Sequence, residues 1–295
     1  MGLNATKSSS TNIDYFLRLS STNNFYRGRS SIHGEFCLKT RRKFRIEKKI
    51  HIDLIGQLIQ HHRCSQIDEN EIFFTYSYPL VTSHENGIAR IIRQQQQITY
   101  PFRIPLGIHL PPSCNFKEFS IIYYLNIYHD EHLLPNIRKR IILAPPIPHV
   151  NIPFPCQITD CHNISMTCQL QKSFYSGRNG SIVPLLITIR NVQQHHIQSL
   201  TIQLIQTVLL NGIKYEHEIF TTIFNEIDIN LQENQIKTIL EFNLPSNLSP
   251  THIPNVNCQP DNVPCLAITY EFRITKKMSD INNFGQSLSV PIGID

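Results

Sequence analysis

The chain has 295 residues, 41% of them hydrophobic and 17% charged, with a formal net charge of +5. That length suits two domains at ~100–200 residues each, and the composition is globular, which excludes a disordered chain. The charge is mild and does not by itself indicate a nucleic-acid partner, and none is read; no run approaches the ~20 apolar residues that span a bilayer as a helix.

The opening Met1-Gly2-Leu3-Asn4-Ala5-Thr6 matches the N-myristoylation pattern, with Gly2 as acceptor and Thr6 at the required position. The plainer reading is a flexible leader of small polar residues over 1–12. Met1–Tyr15 has no apolar h-region, so no signal peptide is read there and the chain is expected in the cytoplasm. In that compartment the eight cysteines are expected mostly as free thiols. The glycosylation-type triplets at Asn4, Asn163, Asn179 and Asn247 are then chance matches.

Phe25-Tyr26-Arg27-Gly28 reads as a tight turn in which the glycine takes a positive φ, and an isoleucine-led strand follows from Ile32. Next comes the main basic cluster: Lys39, Arg41, Arg42, Lys43, Arg45, Lys48 and Lys49, with Glu47 the one acid among them. It falls between two strands, on a turn or sheet edge. Arginine grips phosphate bidentately, and basic clusters gain ~1 kcal/mol per cation at an anionic lipid surface, so these seven residues are the candidate phosphate or anionic-lipid site. The competing reading is a solvated edge whose charges block strand-to-strand aggregation.

Strict alternation follows. In Ile50–Leu58 the apolar Ile50, Ile52, Leu54 and Leu58 alternate with His51, Asp53 and Gln57. The pairs His61-His62 and His195-His196 read as solvated loop histidines. In Phe119–Tyr128 one face carries Phe119, Ile121, Tyr123, Leu125 and Ile127. Five prolines punctuate Leu143–Pro155, a stiff linker. Beyond it, Ile164–Leu170, Ile236–Leu244 and Leu266–Ile274 alternate again. Each such run is a half-buried strand, and the β-branched residues filling them pack well on a pleated surface. Short strands between Pro, Gly, Asn and Ser clusters predict β-sandwiches.

The chain also repeats itself. Phe25-Tyr26-Arg27-Gly28-Arg29 returns as Phe174-Tyr175-Ser176-Gly177-Arg178. Phe102-x-Ile-Pro105 returns as Phe242-x-Leu-Pro245, and the strand around Tyr123 returns around Tyr270. The offsets are 149, 140 and 147 residues. Three matches in one order at nearly one offset predict two copies of one sandwich, at 13–147 and 148–295.

Chemistry is sparse. His149, Cys156, Cys161, His162 and Cys168 form at best a loose zinc set: only Cys156-x₄-Cys161 approaches a close pair, and Cys168 lies on the apolar face of its strand. No metal and no cofactor is read. There is no phosphate-binding glycine loop, H-E-x-x-H or G-x-S-x-G, so no catalytic residue is assigned and the chain is read as a non-enzyme.

These pieces together resemble the arrestin family, and its α-arrestin (arrestin domain-containing) branch most. Ile50-His-Ile-Asp-Leu-Ile-Gly56 is similar to the family's V-x-L-x-G strand. Tyr100-Pro-Phe102-Arg-Ile-Pro105 with Leu110-Pro-Pro-Ser113 is similar to its F-P-F-x-F-x-L-P … L-P-P-S-F element. Ile121-Ile-Tyr123-Tyr-Leu125 resembles I-x-Y-x-L, and Ser289-Val-Pro-Ile-Gly293 resembles the closing L-P-I-x-I-G. The resemblance runs from about Ile13 to the C-terminus. It implies two consecutive immunoglobulin-like β-sandwich domains, the arrestin fold. It also implies an adaptor that binds cytoplasmic tails of membrane receptors or transporters and directs their trafficking or endocytosis, with peripheral contact at the plasma membrane or endosomes. The alternative within the same fold is a retromer-type sorting-coat subunit. Two departures stand out. No Pro-Pro-x-Tyr occurs, so a ubiquitin ligase is expected only indirectly, and Arg178 stands where the family has an acidic residue after Gly177.

Overall fold

The computed structural model describes residues 6–10, 13–46, 50–61, 69–81, 90–92, 96–107, 109–129, 132–133, 137–145, 156–159, 164–177, 180–191, 197–225, 235–254, 260, 262–278 and 287–294. Among them every regular element is a β-strand. The chain divides into two compact units: Met1–Pro146 with Asn255–Pro264, and Ile147–Pro254 with Cys265–Asp295.

Unit 1 holds β1 (Thr6–Ser10), β2 (Ile13–Leu19), β3 (Phe25–Arg27), β4 (Ser31–Thr40), β5 (Phe44–Ile46), β6 (Ile50–Gln60), β7 (Glu69–Val81), β8 (Arg90–Ile92), β9 (Gln97–Pro105), β10 (Cys114–Asn115), β11 (Phe119–His129), β12 (His132–Leu133) and β13 (Lys139–Ala144). One sheet runs β1-β2-β4-β9 and the other β3-β13-β11-β6-β7, with β10 and β12 joined to β11; β5 and β8 pair apart from both. The alternation of β6 and β11 puts one apolar face of each into the core. Leu54 faces Leu125 and Ile52 faces Ile127 across the ladder, and all four are fully buried on the core side. On the other face His51 and Gln57 are half-exposed, but Asp53 and Ile55 of β6 and Ser120, Tyr124 and Asn126 of β11 are buried. These two central strands are thus covered on both faces over much of their length, and not half-buried as expected.

Unit 2 holds β14 (Cys156–Thr159), β15 (Ile164–Leu170), β16 (Phe174–Tyr175), β17 (Ile182–Asn191), β18 (Ile197–Leu210), β19 (Ile213–Asn225), β20 (Gln235–Asn243), β21 (Leu266–Met278) and β22 (Ser287–Ile294). Its sheets run β14-β15-β17-β20 and β16-β22-β21-β18-β19. Strand for strand, these orders repeat those of unit 1.

The correspondence reaches single hydrogen bonds. β3 runs parallel to β13 with Tyr26 opposite Leu143, and β16 runs parallel to β22 with Tyr175 opposite Ile294. Ser113 N–H donates to Leu143 O at 2.7 Å, and Ser113 Oγ accepts from Leu143 N–H at 2.9 Å. Thr251 makes the same two bonds with Ile294, at 2.8 Å each. The buried Tyr123 hydroxyl donates to Pro111 O at 2.7 Å, and the Tyr270 hydroxyl to Ser249 O at 2.7 Å. In each unit a buried tyrosine and a hydroxyl residue thus pin the segment before the central strand to the last strand.

Three further expectations change. Neither Gly28 nor Gly177 has a positive φ; around β3 the left-handed residues are Asn24, at φ 53°, and Arg29, at φ 68°. Gly177 is instead required by close approach, because a Cβ there would lie 2.5 Å from Ile294 Cγ2. Within the leader, Thr6–Ser10 form a strand that pairs antiparallel with β2, Ser10 standing opposite Ile13. Finally, the basic run is not one turn: Lys39 lies on β4, Arg41–Lys43 form the link, and Arg45 lies on β5, opposite Ile91 of β8.

Candidate functional site

The described part of the basic cluster gathers at one end of unit 1, where β2 and β9 begin and β4 ends. Register brings three strands together there: Lys39 stands opposite Asp14 on one side and Gln97 on the other. Thr40, fully buried, secures the end of β4 by donating its N–H to Gln96 O at 3.1 Å and its hydroxyl to the same oxygen at 3.4 Å.

Asp14 is the residue that organises the site. Its side chain is 9% exposed, and Arg41 Nη2 lies 3.1 Å from one carboxylate oxygen and 3.4 Å from the other. A carboxylate so far removed from water needs a compensating charge and donors. Arg41, itself 57% exposed, supplies both. Asp14, Lys39, Thr40 and Arg41 line an open depression of about 450 Å³. With Asp14 neutralised by Arg41, the charge that remains among the described residues at this end is positive. Lys39, Arg42 and Lys43 are all exposed, and among the described residues no carboxylate pairs with them. Lys39 on the wall of the depression, with the exposed Arg42 and Lys43 next along the chain, can bind an anion with several oxygens, with little desolvation cost to the cations.

The structure therefore separates the seven predicted cations. Lys39, Arg42 and Lys43 are available, and Arg41 is engaged by Asp14. Arg45 is placed by its backbone on β5; its side chain, Lys48, Lys49 and Gly2 lie outside the described residues. Sequence reasoning missed Asp14. Its one signal is an isolated acid inside the apolar strand Ile13–Leu19, which says that a counter-charge is needed and not which residue provides it.

Other features have structural work. His61, read as a loop residue, ties the end of β6 to the β10–β11 turn, with Nε2 2.8 Å from Ser120 Oγ and its N–H donating to Glu118 O at 2.8 Å. His62, His195 and His196 lie outside the described residues. Cys168 sits in the core of β15 with Ile164 and Met166, directly opposite Cys156 on β14. Burial, and then the neighbouring Cys156, push its thiol up to about 12, which suppresses the thiolate that a metal would need. His149, Cys161 and His162 lie outside the described residues. Set against models of known protein families and against curated proteins, the chain matches none.

Proposed function

We propose that this chain is an arrestin-like adaptor, and that the basic end of unit 1 binds phosphate groups on the cytoplasmic segments of membrane receptors or transporters whose trafficking it directs. The observation carrying the reading is the run of exposed cations Lys39, Arg42 and Lys43 at the end of β4, where Lys39 lines an open depression and the acid described there, Asp14, is already paired with Arg41. The ordered sequence motifs and the duplicated strand order support the adaptor part. Binding of this kind asks for no catalytic group: the cations supply charge-assisted hydrogen bonds, and register on three neighbouring strands fixes where Lys39 stands.

The test is fluorescence anisotropy with a doubly phosphorylated peptide, its unphosphorylated twin, and vesicles containing an acidic phospholipid. The phosphorylated peptide is expected to bind, with affinity falling as salt rises. Lys39→Ala, Arg42→Ala and Lys43→Ala combined are expected to weaken it by about tenfold or more, since charged hydrogen bonds contribute about 1.5–3 kcal/mol each. Equal binding of both peptides, or no effect of the triple variant, sinks the proposal. Binding to vesicles alone replaces it with a lipid-surface role.

A further inference from the structure

β20 is an edge strand: among the described residues it pairs only with β17. One hydrogen bond fixes its phase. Leu244 N–H donates to Ser181 O at 2.9 Å, continuing the β17–β20 ladder one position past the Ile182–Asn243 pair. In an antiparallel ladder hydrogen-bonded pairs alternate with non-bonded ones. The even-numbered residues of β20 therefore turn their backbone groups to β17. Gln235, Lys237, Ile239, Glu241 and Asn243 turn theirs to the open edge. Pro184, opposite Glu241, fits this phase, because the missing N–H is not needed there.

The same odd-numbered residues carry the outward side chains. Lys237, Ile239, Glu241 and Asn243 are exposed, Ile239 by 60%. Their order is self-complementary. With Ile239 opposite Ile239 of a second copy, running antiparallel, Lys237 meets Glu241 of that copy and Glu241 meets its Lys237. Gln235 and Asn243 meet as well, and every one of these pairs is a hydrogen-bonded pair. A shift of two residues either way sets Ile239 against a charge and breaks both ion pairs. The equivalent edge in unit 1 is closed to this. Leu106 N–H donates to Ser30 O at 3.0 Å, which turns the backbone of Pro101 and Pro105 on β9 to the open edge, and neither has a donor.

We propose that two copies of this chain join through β20 in this register, making one continuous sheet across a two-fold axis. Sedimentation equilibrium on the full chain tests it. A particle of twice the chain mass is expected. Lys237→Glu places two like-charge pairs across the junction and is expected to raise the dissociation constant by about tenfold. Adding Glu241→Lys to that variant restores opposite charges and is expected to recover the original constant. A chain that stays monomeric, a dimer indifferent to Lys237→Glu, or a double variant no better than the single one overturns the proposal.

Discussion

Tyr123 and Tyr270 do the same job in two places, and the job can be measured. Each hydroxyl is withdrawn from water and donates to one carbonyl, of Pro111 or of Ser249. Phenylalanine at either position keeps the packing and leaves that carbonyl without its donor, so Tyr123→Phe and Tyr270→Phe are each expected to lose about 1–3 kcal/mol, read from urea midpoints. His252 offers a second test. It sits at the position in unit 2 that Cys114 holds in unit 1, each on the residue after the hydroxyl clamp and opposite the isoleucine two before the tyrosine. Burial lowers its pKa from 6.5 to about 4. Between those values the unfolded chain binds a proton that the folded chain refuses, so stability falls as pH drops from about 6.5 to about 4. The slope is at most about 1.4 kcal/mol per pH unit. His252→Cys is expected to flatten that part of the profile, measured as unfolding midpoints at pH 7, 5.5 and 4.5. At this scale little was legible. A tyrosine inside an apolar alternation announces burial, but its acceptor lies in a proline segment that only the folded turn brings near.

Elements were more legible, and unevenly so. The long strands showed themselves because their core-facing residues alternate along the chain: Ile50–Leu58 and Phe119–Tyr128 became β6 and β11 with ends moved by one or two residues. Short strands have no period to show. β3 and β16 surfaced only as the repeated Phe-Tyr, and their parallel pairing with the last strand of each unit is a contact across most of a domain's length. β5 and β8 are joined by no pattern at all. Asn211-Gly212 is different, since a short-range turn signal was present in the sequence: both residues have positive φ, at 49° and 86°, in the two-residue link between β18 and β19. A Cβ at Gly212 would meet nothing within 4 Å, so the cost of Gly212→Ala is backbone strain alone. A loss of about 1–2 kcal/mol is expected in denaturant unfolding, with Gly212→Asn milder because asparagine tolerates this region.

For the whole molecule, the repeat was the part of the sequence that carried furthest. Offsets near one value foretold a shared plan, and the two units follow the same strand order down to the Ser113 and Thr251 clamps. The candidate site was half legible: the cations are a string in the sequence, whereas their division into Arg41, engaged, and Lys39, Arg42 and Lys43, available, depends on the register that puts Asp14 beside them. The same holds for β20, whose self-complementarity appears only once its hydrogen-bonding phase is known.

The assignment of Asn255–Pro264 to unit 1, where Asn262 Nδ2 donates to Phe73 O at 3.3 Å, was invisible in the sequence. It bears on the order of events at the ribosome. Chains emerge from the N-terminus, and a domain ordinarily folds as soon as it is out. Every described strand of unit 1 has been made by Ala144, yet the segment grouped with it, Asn255–Pro264, is synthesised after β20. The strands of unit 1 can pair before then, but the bond from Asn262 to the Phe73 carbonyl forms only after most of unit 2 has been translated.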